Sequence, residues 1–395
     1  MHLGGALPSG IGLFAAAVAP SFGHAEASDT KGGTPHVAPK QKTAKKTAKE
    51  PLKRVYSPMQ HMLETYEAHP PALAFSARTE ADWKTWRGKL KRKFMDLLGG
   101  LEDPRCDLAP QVSKRKKLVG YTREHVLFQT RPNLTVAAWV LVPEGASGKL
   151  PTMICLHGHG AGKDEIVGIN DDGAERAEYG GYQKDFAVQA VRRGFLAIAP
   201  DMLSFGERRD AAEIAQGKGS SSCRRASLAG MLLGRTMPGL RVHDVMRCID
   251  YLETRPECDP KRIGCMGISG GGQITTFAAA VEERISAALI SGYLAQWRDS
   301  VVSILHCEDN YVPNVLQWGE MSDIASLIAP RPVFFENGTA DTIFPIKSAR
   351  AAFKQIKEAY KVAGWPHRCD MQVFTGEHQF CGEKGFPFLE RWLKG

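Results

Sequence analysis

The sequence predicts an α/β fold in which a mostly parallel sheet is covered by helices on both faces. Two observations carry this. From residue 151 onward, short runs that are apolar throughout alternate with longer stretches of helical periodicity. Strands buried on both faces read as such continuous apolar runs, and burying both faces requires helices above and below. The second observation is bulk. With 395 residues, 43% of them hydrophobic and 24% charged, the chain has the composition of a soluble globular protein and the length for a sizeable core.

Residues 1–27 carry an export-signal pattern. "IGLFAAAVA" (11–19) is an apolar stretch of h-region length, and "HAEA" (24–27) offers an A-x-A cleavage pattern after Ala27, although only His2 and no Lys or Arg precedes it. The stretch is too short to span a bilayer and no other segment approaches that length, so no integral membrane segment is expected in the mature chain. A working signal implies a periplasmic or secreted protein; without it the protein would be cytoplasmic. Residues 28–54 are Lys-, Thr- and Pro-rich without apolar periodicity, which predicts a disordered basic linker. The net charge of +8 is concentrated there: residues 1–54 hold eight Lys/Arg against three acids, leaving about +3 for the other 341 residues. No clustered basic face remains to serve nucleic acid.

Residues 55–395 are expected to form one domain with a helical N-terminal extension. Over 56–100 the pattern is helical: Trp83, Trp86, Leu90, Phe94 and Leu97 recur at steps of three and four before Gly99-Gly100. "REHVLFQTRPNLTVAAWVLVPEG" (123–145) reads as a hairpin around "RPNL". Strands follow at 151–158, 195–201, 262–267, 285–292, 331–338 and 369–376, with helices at 185–194, 241–255, 271–283 and 348–364 and a last helix at the C-terminus. Segment 203–240, rich in Gly, Ser and Arg and without a period, reads as an insertion. In a parallel sheet, active residues collect on loops beyond the carboxyl ends of strands.

One such loop is "GISGG" (267–271), a G-x-S-x-G sequence between strand 262–267 and helix 271–283. At a turn this sharp, the residues two before and two after the serine face each other and must be small; the serine hydroxyl is lifted clear of the backbone. A serine alcohol needs a base, and the base an orienting acid. This architecture orders them Ser, acid, His. Asp341 follows strand 331–338 in "GTADTIFP", and His378 follows strand 369–376 in "FTGEHQF". Glu336, inside a strand, and Glu377, beside the base, suit the acid role less well. The N–H of Gly270 and that of His159 in "HGHG" (157–160) are the expected oxyanion donors, with His157 bracing the loop. The "GHGAGKD" stretch (158–164) fails as a phosphate loop: three residues rather than four precede Gly-Lys, and Asp164 stands where a Ser/Thr belongs.

Nine cysteines, an odd number, predict buried free thiols with at most one disulfide; no CxxC and no His/Cys spacing suits zinc, so no metal and no cofactor are expected. Trp297, Tyr311 and Trp318, in "SGYLAQWRDSVVSILHCEDNYVPNVLQW" (291–318), are candidates either for stacking on sugar rings or for packing a cap.

From about residue 80 onward, "LHGHGAGK", "APDMLSFGER", "DPKRIGCMGISGGG", "LIAPRPVFFENGTADTIFP" and "GEHQF" resemble the α/β-hydrolase superfamily, and within it the dienelactone-hydrolase-like and acetyl-xylan-esterase-like branches. The resemblance implies Ser269, Asp341 and His378 as a triad and Gly270 with His159 as an oxyanion hole. It implies a serine ester hydrolase acting through an acyl-enzyme on a small-molecule or polysaccharide ester, with acyl esters of carbohydrates as the expected class. Two departures stand out: dienelactone hydrolases use cysteine where this chain has Ser269, and the insertion 203–240 matches no pattern of the family. Two other readings are a peptidase of the prolyl-oligopeptidase type, which shares GxSxGG but normally carries a large gating domain, and a catalytically inactive binding protein, against which the complete Ser/Asp/His set speaks.

Overall fold

The computed structural model describes residues 54–101 and 103–395. The expected export signal and all but the last residue of the expected linker lie outside the described residues. Among the described residues, nine strands form one sheet: β1 (Gln111–Leu118), β2 (Tyr121–Arg131), β3 (Leu134–Pro143), β4 (Leu150–Leu156), β5 (Leu196–Pro200), β6 (Cys258–Ile268), β7 (Ile285–Ser291), β8 (Val333–Gly338) and β9 (Cys369–Phe374). Their order across the sheet is β1-β2-β3-β5-β4-β6-β7-β8-β9. The first three strands and β5 pair antiparallel, and every pair from β5 to β9 is parallel. The chain leaves β4 toward β5 on one side and leaves β6 toward β7 on the other. The loops at the carboxyl ends of β4 and β6 therefore diverge, which opens a crevice between them.

Composition explains which strands the sequence reveals. β4 and β5 are buried almost without interruption, because helices cover both faces. β1 ("QVSKRKKL") is exposed along nearly its whole length and escaped the sequence reading, since it has neither an apolar run nor an alternation. Its row of Lys and Arg shields an edge strand from pairing with other chains.

The helical extension consists of two helices. Pro58–Ala68 is capped by Ser57, whose hydroxyl accepts from the Gln60 N–H at 3.2 Å. Glu80–Leu98 begins with a reciprocal capping box between Thr79 and Asp82. Pro70-Pro71 between them cannot continue a helix. Trp83, Trp86, Leu90 and Phe94 form the buried stripe, and the residue that completes it is Leu98; Leu97, expected there, is only half-buried. The last step is four residues, not three. Phe94 meets Phe277 of helix Gly270–Val281 edge-on, ring centroids 4.9 Å apart, and both are fully buried. Burial of such a ring contributes about 2–3 kcal/mol. The cover helix thus packs directly against the helix that follows Ser269.

The insertion is structured. It holds a 3-10 turn (Gly206–Arg208), short helices Ala211–Ile214 and Cys223–Leu232, and the first turn of helix Met237–Glu253, capped by Thr236. All nine cysteines are free, so the single disulfide allowed for is not formed.

Candidate active site

Ser269 sits between β6 and helix Gly270–Val281 with φ +56° and ψ −123°. A left-handed φ is uncommon for a non-glycine residue and costs of order 1–3 kcal/mol, held here by what surrounds it. Its neighbours show why the turn needs glycine. A Cβ on Gly267 would overlap the backbone of Gly271, and one on Gly271 would overlap the carbonyl oxygen of Leu156 at the end of β4. The helix is pressed against two strand ends at once.

His378 lies on the loop after β9. Its Nδ1 is 2.8 Å from Asp341 Oδ2, and the other carboxylate oxygen accepts the N–H groups of Ile343 and Phe344 at 2.9 Å each. Asp341 is thereby oriented by the backbone of its own loop, and with Oδ2 committed to Nδ1 the imidazole presents Nε2 to the site. That Nε2 is buried and has no hydrogen-bond partner among the described residues. Ser269 and His378 share a neighbour: the Ser269 N–H donates to Ser291 O at 3.0 Å, and a Cβ on the next residue, Gly292, would stand 3.0 Å from the His378 ring. The Oγ–Nε2 hydrogen bond itself is not made; such contacts commonly tighten only in the substrate complex.

The loop after β4 faces the same turn. A Cβ on Gly158 would come 3.1 Å from the Ser269 Cβ, and one on Gly270 would come 3.3 Å from His159 Nδ1. Among the described residues, neither the His159 N–H nor the Gly270 N–H has an acceptor. His157 is fully buried: its Nε2 accepts the Met202 N–H at 2.9 Å and its Nδ1 lies 2.7 Å from Gly158 O. Burial pulls its pKa down to about 4, so the ring is neutral with the proton on Nδ1, tying the β4 loop to the β5 loop.

Residues that the sequence reading did not single out complete the surround. Tyr182 donates its hydroxyl to His159 O at 2.6 Å, and its ring stacks on His378 with centroids 5.9 Å apart. Gln183 accepts the Gly158 N–H at 2.7 Å. Phe344 also stacks on His378, centroids 5.8 Å apart. Nothing in the local sequence "YGGYQKDF" marks this role, because the segment acts through contacts made across the fold. Glu336, the weaker acid candidate, is fully buried and accepts the N–H groups of Cys381 and Gly382, so it braces the loop that carries His378.

Two of the three proposed stacking residues are corrected. Trp297 is 3% exposed and belongs to the core, where no sugar ring reaches it. Trp318 packs against the core with Lys93 over its ring at 4.4 Å, facing the N-terminal cover helix. Tyr311 is the exposed member of the set, with its hydroxyl on Val301 O at 3.1 Å. The "GHGAGKD" lysine is also accounted for: Lys163 is buried, with Nζ 2.8 Å from Asp201.

His159, Cys223, Cys307 and Asp309 gather beside this site, each offering a potential ligand atom within 4.8 Å of the others. The absence of a local zinc spacing in the sequence did not prevent that, since the residues come from three distant segments. No helix among the described residues is long and apolar enough to cross a membrane.

Comparison with known proteins agrees with this architecture. YtaP of Bacillus subtilis (strain 168), provisionally named a hydrolase, is 26% identical over 321 residues, which cover 78% of this chain and all of that one. A Bacteroides fragilis NCTC 9343 structure, provisionally named an acetyl xylan esterase, superposes with a TM-score of 0.75 at 18% identity, covering 87% of this chain and 96% of that one. A glucuronoyl esterase from Solibacter usitatus superposes with a TM-score of 0.59 at 14% identity, covering 82% and 97%. The family model described as "Abhydrolase family" matches residues 49–380. The fold is that of the α/β hydrolases, and this chain belongs to the Abhydrolase family.

Proposed function

We propose that the protein is a serine ester hydrolase that works through an acyl-enzyme, with Ser269 as nucleophile, His378 as base and Asp341 as the group that orients it. The observation that carries this reading is the conjunction of an unpartnered imidazole nitrogen with a strained serine. His378 is fixed by Asp341 and left with a free Nε2, beside a serine held in a left-handed turn. A buried polar atom without a partner is costly and calls for an explanation, and here the partner is the proton of the Ser269 hydroxyl.

In the first half-reaction Nε2 takes that proton while Oγ attacks the ester carbonyl. The carbonyl oxygen gains charge opposite the N–H groups of Gly270 and His159, each worth about 3–4 kcal/mol in such a site. The tetrahedral intermediate collapses, the Nε2 proton passes to the departing alkoxide, and the alcohol leaves. Water then repeats the sequence on the acyl-enzyme, releasing the acid and restoring Ser269.

The substrate class rests on the company the fold keeps. The solved relatives include proteins named as acetyl xylan, glucuronoyl and methyl esterases. Esters of carbohydrates are accordingly the class we favour, and a protein exported on its N-terminal signal would meet them. A fluorophosphonate probe should label Ser269 and no residue of Ser269→Ala. A panel of acetylated sugars, methyl and glucuronoyl esters, aryl esters and peptides should show turnover of carbohydrate esters. Absence of labelling would refute the nucleophile, and preference for peptides would refute the substrate class.

A further inference from the structure

The acyl-transfer chemistry makes no use of the side chains of Cys223, Cys307 and Asp309, or of the ring of His159. We propose that these four side chains form a zinc site that staples the 203–240 insertion to the loop after β4.

The geometry fits an ion that none of the four residues alone would mark. Zinc bonds of about 2.0–2.3 Å in a tetrahedron place neighbouring ligand atoms about 3.3–3.8 Å apart. Here Cys223 Sγ is 3.2 Å from Asp309 Oδ2, His159 Nε2 is 3.4 Å from the same oxygen, and all four ligand atoms lie within 4.8 Å of one another. His159 Nε2 is buried and lies at ion-pair distance from the carboxylate, yet the two make no aligned hydrogen bond. The two groups are near each other without being aligned on each other. Ligands that share an ion stand in that relation, because each points at the metal.

The surroundings supply an outer shell. Asn310 donates to Asp309 Oδ1 at 2.8 Å, so Oδ2 is the carboxylate oxygen that faces the cluster. Arg241, buried and anchored on Leu203 O, donates to Asp309 Oδ2 at 2.7 Å and to Cys223 Sγ at 3.3 Å. Two thiolates and a carboxylate carry three negative charges against the two positive charges of Zn²⁺, and Arg241 supplies the balancing one. Thiolates with imidazole select zinc over magnesium or calcium. Four protein ligands fill the tetrahedron, the mark of a structural rather than a catalytic ion. The ligands come from the β4 loop, the first residue of helix Cys223–Leu232, and the segment around the 3-10 turn Glu308–Asn310. Zinc would therefore fix His159, whose backbone N–H faces the Ser269 turn, by its side chain.

The test uses the full chain, reduced, stripped with a chelator and then titrated with Zn²⁺ by calorimetry and native mass spectrometry, and separately with Co²⁺. One zinc per chain is expected, with a cobalt spectrum showing thiolate charge transfer and the intense visible bands of a tetrahedral site. Cys223→Ser and Cys307→Ser should each weaken zinc binding by more than about a hundredfold, beyond the loss typical of an outer-shell partner. No saturable binding to the reduced wild-type chain would overturn the proposal, with Arg241 alone neutralising the cluster. So would a cobalt spectrum without thiolate bands, or a Cys223–Cys307 disulfide standing in place of metal in the isolated protein. Wild-type stoichiometry and the cobalt spectrum do not depend on either variant folding, and neither depends on the reactivity of Ser269.

Discussion

Two glycine-rich turns stand at the carboxyl ends of the neighbouring strands β4 and β6, and they are built to opposite ends. In "GISGGG" the glycines let backbone approach backbone: a Cβ on Gly271 would overlap Leu156 O, and one on Gly272 would come 2.8 Å from Ser291 O. In "HGHGAGK" they make room for carboxylates: a Cβ on Gly160 would overlap Glu165, and one on Gly162 would overlap Asp201. The first turn carries a serine whose hydroxyl bonds to nothing described. The second ends in Lys163, 2% exposed, whose Nζ meets Asp201 at 2.8 Å and Glu207 at 2.5 Å. A satisfied buried ion is part of the scaffold, whereas a strained residue with an unbonded group beside an unbonded imidazole is poised for a ligand. Glycine content alone does not distinguish them; what the adjoining polar atoms bond to does.

Four measurements test that contrast. The largest effect is expected from Ser269→Ala, which should lower kcat on any ester the wild type cleaves by about 10⁵–10⁶-fold while leaving the thermal transition in place. Activity near the wild-type level would remove the nucleophile turn from the chemistry. Asp341→Asn comes next: it keeps the shape but lets the imidazole adopt the wrong tautomer, and a loss of about 10⁴-fold in kcat is expected. A rise in KM alone would assign Asp341 to substrate binding instead.

Lys163→Met should act on the other side of the divide. It leaves Asp201, fully buried, without its cation, and breaking a buried pair from one side costs about 3–5 kcal/mol of stability. Denaturant melts should record that cost, with kcat of the folded fraction little changed. A fall in kcat as deep as that of Ser269→Ala would erase the distinction between the two turns.

The smallest effect concerns Glu207. A hydrogen bond from His125 and the charge of Lys163 hold its pKa down to about 2, below the ordinary 4.5. A depressed carboxylate contributes stability that is fully present above the unfolded pKa and lost as pH falls through the folded one. The wild type should therefore lose this contribution between about pH 4.5 and about pH 2, and Glu207→Gln should lose less over that window. The side chain is 53% exposed, so the difference at neutral pH should stay below about 1 kcal/mol. A larger acid sensitivity in the variant than in the wild type would reverse the sign and exclude the pairing.

Much of the fold was legible because its cause is local. β4, β5, β6 and β7 read as strands since an apolar run with no polar face can only be buried on both sides. Ser269, Asp341 and His378 stood out because each follows such a run in the required order. Legibility failed where a partner distant in sequence decided the outcome. β1 is a strand because β2 pairs with it, and "QVSKRKKL" carries no pattern of its own. Trp297 and Trp318 were ambiguous between stacking on substrate and packing, and the core claimed them. Tyr182 and Gln183 hold the loop after β4 through contacts that no neighbouring residue announces.

Local sequence was enough to set the alternation of strand and helix, the place of the Ser269 turn and the order of Asp341 and His378 after it, because hydrophobic periodicity and turn sterics act over a few residues. The folded chain alone shows that His378 meets Asp341, that Lys163 is locked in a buried ion pair, and that His159, Cys223, Cys307 and Asp309 converge. Those meetings depend on how the sheet orders its strands and how far each loop reaches, and the free energy of a contact between distant segments is written in neither segment alone.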